Sequence, residues 1–293
     1  VSLSDDGTVL AVSAPLDDDR GSNNGRIEIF KNTSGTTWTS WGNIYGEDFK
    51  DGDGDDLESQ FGWGEGGGVQ LSGDGTKLIV GCMYGEDPQQ TNISNEGAVV
   101  AIQINGNNDF TKIGKTIFKP GEYPINNNVS SDYFGFSVAM SYDGTVIAVG
   151  SYYDDYDDEG NYSVNRGSVT VFKWSGTEWV QKGQKIVGYT SSLNCGAVSL
   201  SNNGNIVAGS FPSADTNGSD TGYIHVLMYN STTDKWDTMG TYTDIEGSDT
   251  NDENFIGEQG MLSISANGGR LVYGTSDYDL TENGASVNNT GLV

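Results

Sequence analysis

The feature that most constrains this chain is a turn that keeps coming back. A hairpin glycine recurs at Gly7, Gly75, Gly144, Gly204 and Gly268, at spacings of 68, 69, 60 and 64 residues. After each glycine stands an apolar run: TVLAVSAP, KLIVGCMY, TVIAVGSYY, NIVAGSFP and RLVYGTSDY. Runs this short, rich in Val, Ile and Tyr and bounded by Gly, Asp or Asn, are strand chemistry. A third segment opens on Gly25, Gly97, Gly167, Gly222 and Gly291, and in every copy Asn or Asp stands two residues earlier, at Asn23, Asn95, Asn165, Asp220 and Asn289. A fourth carries an aromatic followed four residues later by glycine: Trp38/Gly42, Phe110/Gly114, Trp179/Gly183 and Trp236/Gly240.

A fixed period decides architecture before any single motif does, because each repeat is one supersecondary unit that buries its apolar face against its neighbours. Four consecutive antiparallel strands per repeat predict an all-β fold, a β-propeller of four-stranded antiparallel blades in one closed or nearly closed ring. The predicted blades span about 1–60, 61–133, 134–194, 195–255 and 256–293 as a single propeller domain, with the last one cut short inside its third strand. The stretch GWGEGGG opening blade two is bare of side chains and predicts a bulge or close backbone approach. No initiator Met or apolar leader precedes Val1, so the visible chain reads as a piece of a longer product.

Charge narrows the partners. With 41 acidic against 14 basic residues the chain carries a net −27, a surface that repels phosphate backbones and anionic lipid. Nucleic acid and membrane insertion are excluded as expectations, the latter also because no run approaches the roughly 18 apolar residues a spanning helix needs. Cys82 and Cys195 fall in different blades and read as small buried hydrophobes without a disulfide. Seven Asn-X-Ser/Thr sequons, at Asn32, Asn92, Asn128, Asn161, Asn217, Asn230 and Asn288, lie in predicted loops or hairpin tips and point to glycosylation and an extracellular or cell-surface setting.

Phe134-Gly135-Phe136-Ser137-Val138-Ala139, then Val146-Ile147-Ala148-Val149-Gly150, then Gly167 to Phe172 resembles an FG-GAP repeat, the blade type of integrin α-chain propellers. Phe61-Gly62 is similar to its FG, and Ala14-Pro15 to the AP that closes its GAP element. The resemblance implies an extracellular seven-bladed propeller used for adhesion or display, with calcium in the blade hairpins. Here those hairpins read SDDGT, SGDGT, SYDGT, SNNGN and SANGG. One acid does not supply the six to eight oxygens calcium takes, so Asp6, Asp74 and Asp143 are read as turn formers.

Two other places offer oxygens to calcium. One is the loop after the second strand, with Asp17 and Asp19 facing Asn23, and Asp154, Asp155 and Asp157 facing Asn165. The other is Asp51-Gly-Asp53-Gly-Asp55, whose acids alternate. Catalysis has no comparable signal: His225 is alone inside a strand, and the four arginines are dispersed. Trp38, Trp179 and Trp236 are expected to pack between blades, whereas Tyr152, Tyr153 and Tyr156 are expected to be exposed for contact with a partner or glycan. The resulting expectation is a non-catalytic structural or adhesive propeller, a building block of a surface, matrix or filament. Its partners would be further copies of itself, another extracellular protein or a glycan. The competing expectation is a carbohydrate-active enzyme or lectin. Calcium bound only to the folded state must stabilise it, so thermal melts should give a higher Tm with calcium than with a chelator; coincident curves would remove the ion.

Overall fold

In the computed structural model the described residues are 1–50, 57, 60–64, 68–88, 95–120, 131–189, 191–214, 221–239, 244–246, 261–275, 280–282 and 285–287. Four successive sheets each run in sequence order from an inner to an outer strand, all pairs antiparallel. In blade three the order is Phe134–Met140, Val146–Ser151, Ser168–Trp174 and Trp179–Gln181. Blade five begins with Leu262–Ile264 paired to Leu271–Tyr273. The fold is the expected β-propeller. Among the described residues the one helical turn is the 3-10 segment Gly46–Phe49, and no helix is long and apolar enough to cross a membrane.

The first two strands of blade three are buried along their whole length, since they lie between the neighbouring blades. One apolar cluster joins blade one to blade two through Ile27, Ile29, Phe61, Leu78 and Val100, and another joins blades three and four through Val169, Val171, Val198 and Phe211. Cys82 and Cys195 form no disulfide and are fully buried in these clusters.

Three backbone clasps repeat at the blade interfaces and account for the periodic motifs. The first ties the inner hairpins around the axis. Asp5 N–H donates to the Gly73 carbonyl (2.9 Å), Asp74 to Tyr142 (3.1 Å), Tyr142 to Asn202 (2.9 Å) and Asn202 to Ala266 (2.8 Å). Each Ser-X-Asp/Asn turn is closed by its own side chains: Ser141 Oγ donates to Asp143 Oδ1, which accepts the Thr145 N–H and hydroxyl. Burial opposes ionisation of Asp143, but these bonds outweigh it and hold the carboxyl below its usual range.

The second clasp sits at the opposite end, where Gly25, Gly97 and Gly167, which open the third strands of blades one to three, lie against the start of the next blade. Phe134 N–H donates to the Glu96 carbonyl (2.9 Å) and Tyr133 N–H to Asn95 (3.2 Å), and Gly97 bridges Phe134. Gly97 has φ +91°, and a Cβ on it would overlap the Phe134 backbone. The preceding Asn23, Asn95 and Asn165 all have φ between +50° and +56°, a left-handed conformation that asparagine tolerates. Their recurrence is therefore a backbone requirement.

The third clasp lies on the outer rim. Gly114 and Gly183, with φ of +77° and +71°, interrupt the fourth strand so that its second half rejoins the third strand at Ile117–Phe118 and Ile186–Val187. The aromatic of the following blade lies over each glycine. Trp179 Nε1 donates to the carbonyl of Ile113 (2.9 Å) and Trp236 Nε1 to that of Lys182 (2.7 Å). Phe110 has no such donor, and the equivalent carbonyl, that of Trp41, takes the Asn108 N–H instead (2.6 Å). Trp38 departs from the expectation of inter-blade packing: it stands at a hairpin tip opposite Asn32 and is 40% exposed.

Candidate functional site

The end of the ring that carries the blade starts also carries the loops after the second strands, where the sequence concentrates its acids. In blade three this loop is organised around a buried ionic cluster. Asp154 accepts from Lys119 Nζ (2.7 Å), Lys185 Nζ (2.9 Å), Ser168 Oγ (2.6 Å) and the Tyr156 N–H (3.1 Å). Lys119 also bonds Asp132 (2.7 Å), and all four charged side chains are at most 3% exposed. The cluster thus joins the exit of blade two, the entry of blade three, its loop and its own exit. Burial opposes the Asp154 charge, but Lys119 and then Lys185 outweigh it and hold the carboxyl far below the ordinary range. Burial likewise opposes the Lys119 charge, which Asp154 and Asp132 stabilise, so its pKa lies above the usual value.

The other acids of these loops are also engaged. Asp155 accepts the Asn165 N–H (2.6 Å), while desolvation and the nearby Asp132 and Asp154 raise its pKa. Asp157 accepts the N–H groups of Glu159 and Asn161 and pairs with Arg166 (3.4 Å). In blade one Asp17 and Asp19 both pair with Arg26 (3.2 Å each), and Asn23 N–H donates to Asp18 (2.7 Å). Among the described residues no three His, Cys, Asp or Glu side chains converge as a metal site. Calcium does not fit at Asp154, because it would have to displace two lysine amines from a buried site. Asp51, Asp53 and Asp55 lie outside the described residues.

Beside the cluster, six rings form a continuous arc across blades two and three. Centroid separations are 6.4 Å for Trp63–Tyr84, 5.6 Å for Tyr84–Tyr133, 5.7 Å for Tyr133–Tyr153, 4.5 Å for Tyr153–Tyr152 and 4.5 Å for Tyr152–Phe136. All but Phe136 are partly exposed. Tyr152 and Tyr153 therefore reach the surface as members of a larger platform. Tyr84 and Tyr153 hold equivalent places one residue before Gly85 and Asp154, whose carbonyls accept the third-strand glycines Gly97 and Gly167. Tyr133 and Trp63 flank the two FG pairs, a placement no local pattern announces. Tyr156 is a correction: it is 9% exposed, packed on Tyr162 (5.3 Å), and Tyr162 is the exposed ring at 55%.

Of the sequons, Asn161 is exposed and its amide nitrogen donates to Asp157 (2.9 Å). Asn32 and Asn230 are half-buried at hairpin tips, where Asn32 Oδ1 caps the Gly35 N–H and Asn230 Nδ2 donates to Asp237 (2.8 Å). Asn92, Asn128, Asn217 and Asn288 lie outside the described residues. His225 is buried among Tyr189, Phe211 and Tyr223, in edge-on contact with all three rings.

Removing one partner of a buried ion pair strands the other charge. Asp154→Asn should cost about 3–5 kcal/mol in chemical denaturation at pH 7. The Asp154 contribution is fully present above its unfolded value, 3.8, and is lost as pH falls towards the depressed folded value. The Asp154→Asn protein should therefore show a shallower loss of stability below pH 4 than the wild type. A change under 1 kcal/mol with an unaltered acid limb would contradict the cluster's role.

Residues 126–172 match the model of the FG-GAP repeat. No curated protein sequence matches the chain. Among solved structures, Kuenenia stuttgartiensis hydrazine synthase aligns with a TM-score of 0.50 at 12% identity over 94% of this chain and 60% of that one, so the chain spans less than two thirds of its length. A Lactobacillus plantarum protein aligns at a TM-score of 0.37 and 12% identity, over 77% of this chain and 50% of that one. At such identity the first of these speaks to fold alone, and with the repeat match it identifies the chain as a β-propeller carrying an FG-GAP repeat.

Proposed function

We propose that the chain is a non-catalytic extracellular propeller, a structural or adhesive building block of a cell-surface, matrix or filamentous assembly. The observation that carries this reading is the aromatic arc from Trp63 to Phe136. Large, partly exposed rings held in fixed orientation contribute contact area at low entropic cost, which suits them to binding a partner. The acids beside them are engaged by lysines, an arginine and backbone N–H groups, an arrangement that supports a rigid contact surface over a proton-transferring pair. Partners on this reading are further copies of the chain, another extracellular protein or a glycan. Glycosylation belongs to it at the exposed Asn161, and calcium only at Asp51, Asp53 and Asp55.

The second reading, a carbohydrate-active or lectin-type propeller, draws on the same arc, because pyranose faces stack on tyrosine and tryptophan. Two measurements separate the readings. Particle imaging across a concentration series should reveal ordered polymers or sustained adhesion to immobilised extracellular protein or glycan. The double variant Tyr84→Ala/Tyr153→Ala should weaken either by at least about tenfold. Sugar release from a polysaccharide panel, abolished by a single carboxylate substitution, would overturn the non-catalytic reading.

A further inference from the structure

At the opposite end from the aromatic arc, between blades three and four, lies a cleft of about 610 Å³. This is the size of a small-molecule site. Its walls contain Lys173 and Lys182 and not one carboxylate, on a chain whose net charge is −27. We infer that this cleft is a binding site for a small carboxylate-bearing ligand with a hydroxylated body, held by Lys173 and by the amide and hydroxyl groups of Asn203, Asn205 and Ser231.

The two lysines have different tasks. Lys182 forms the floor: its amine donates to the Gly204 carbonyl and to Asn205 Oδ1 (2.8 Å) and rests 4.3 Å from the centre of the Tyr229 ring. Those contacts fix the ammonium between the blades, so it contributes field to the cleft while its hydrogens are already directed. Lys173 stands on the rim, exposed, and among the described residues it has no ion-pair partner. It is the cation with hydrogens left for an incoming anion.

The remaining polar groups are directed in a similar way. Asn203 Oδ1 is consumed by the Ser201 hydroxyl and the Asn205 N–H. Asn205 Oδ1 is taken by Lys182. The two amide nitrogens make no hydrogen bond among the described residues, and both side chains belong to residues that line the cleft. Two acids outside the lining are bonded to wall residues: Asp143 accepts from the Thr145 hydroxyl (2.8 Å) and Asp234 from the Tyr229 hydroxyl (2.6 Å). Burial, and then repulsion from Lys173, lower the Lys182 pKa to about 8, as two cations without an opposing charge should do. A monoanion relieves that repulsion; a dianion meets the same lysines but pays more to approach so acidic a body.

The test is calorimetric titration of the whole chain at pH 7 and 0.05 M salt with glucuronate, and with glucose as the neutral control. Glucuronate should bind saturably and glucose not at all. Lys173→Gln, an exposed substitution that should leave the melting temperature unchanged, should raise the glucuronate Kd about tenfold. Lys182→Met should weaken binding too, although it also removes a blade-to-blade contact, so the Lys173 variant decides. Equal responses to glucuronate and glucose, or an unchanged Kd in folded Lys173→Gln, would overturn the site.

Discussion

Everything in this molecule depends on backbone meeting backbone between blades. At the second clasp the approach is so close that a single methyl group at Gly97 would occupy the space of the Phe134 main chain. The same geometry brings Gly25 against Phe61 and Gly167 against Asn194 and Cys195. Hydrogen bonds across these joints satisfy strand ends that would otherwise be buried without partners, a debt of roughly 1–3 kcal/mol for each group left unmade. With the joints made at both ends and on the rim, side-chain packing between blades follows, and the outer loops are held at fixed positions.

That rigidity shapes the charge chemistry. A chain with 41 carboxylic side chains does not fold compactly by burying them. Blade three buries Asp132 and Asp154 only because Lys119 and Lys185 arrive from the linkers on either side. Four of the described basic side chains, Lys119, Lys185, Arg26 and Arg166, are thus spent at the acidic end on holding loops. At the other end Lys173 is not spent in this way, and with Lys182 it lines a cleft whose walls hold no carboxylate.

The periodic part of this arrangement was legible in the letters. Gly97 with Asn95, Trp179 with Gly183, and Ser141-Tyr142-Asp143-Gly144-Thr145 are local patterns whose purpose is local geometry, so a linear reading finds them. The acids of blade three were legible as a cluster but their role was not. The lysines that neutralise Asp154 lie 35 residues before it and 31 after it, and nothing in the spacing marks them as partners. Tyr156 illustrates the same limit: it shares a run with Tyr152 and Tyr153, yet the bridge to Tyr162 turns it inward. Trp38 shares the motif of Trp179 and Trp236 without their burial, because burial is set by the neighbouring blade and not by the repeat itself.

The account stands or falls on the inter-blade joint, and the stability of a Gly97→Ala protein measures it directly. Alanine at φ +91° is strained by about 1–2 kcal/mol on its own, and displacing the Phe134 backbone adds to that. Urea denaturation followed by fluorescence should show a loss of about 3 kcal/mol or more. A Gly97→Ala protein within 0.5 kcal/mol of the wild type, in the ~0.5 kcal/mol range of an inconsequential surface change, would contradict the claim that the blades are joined through their backbones.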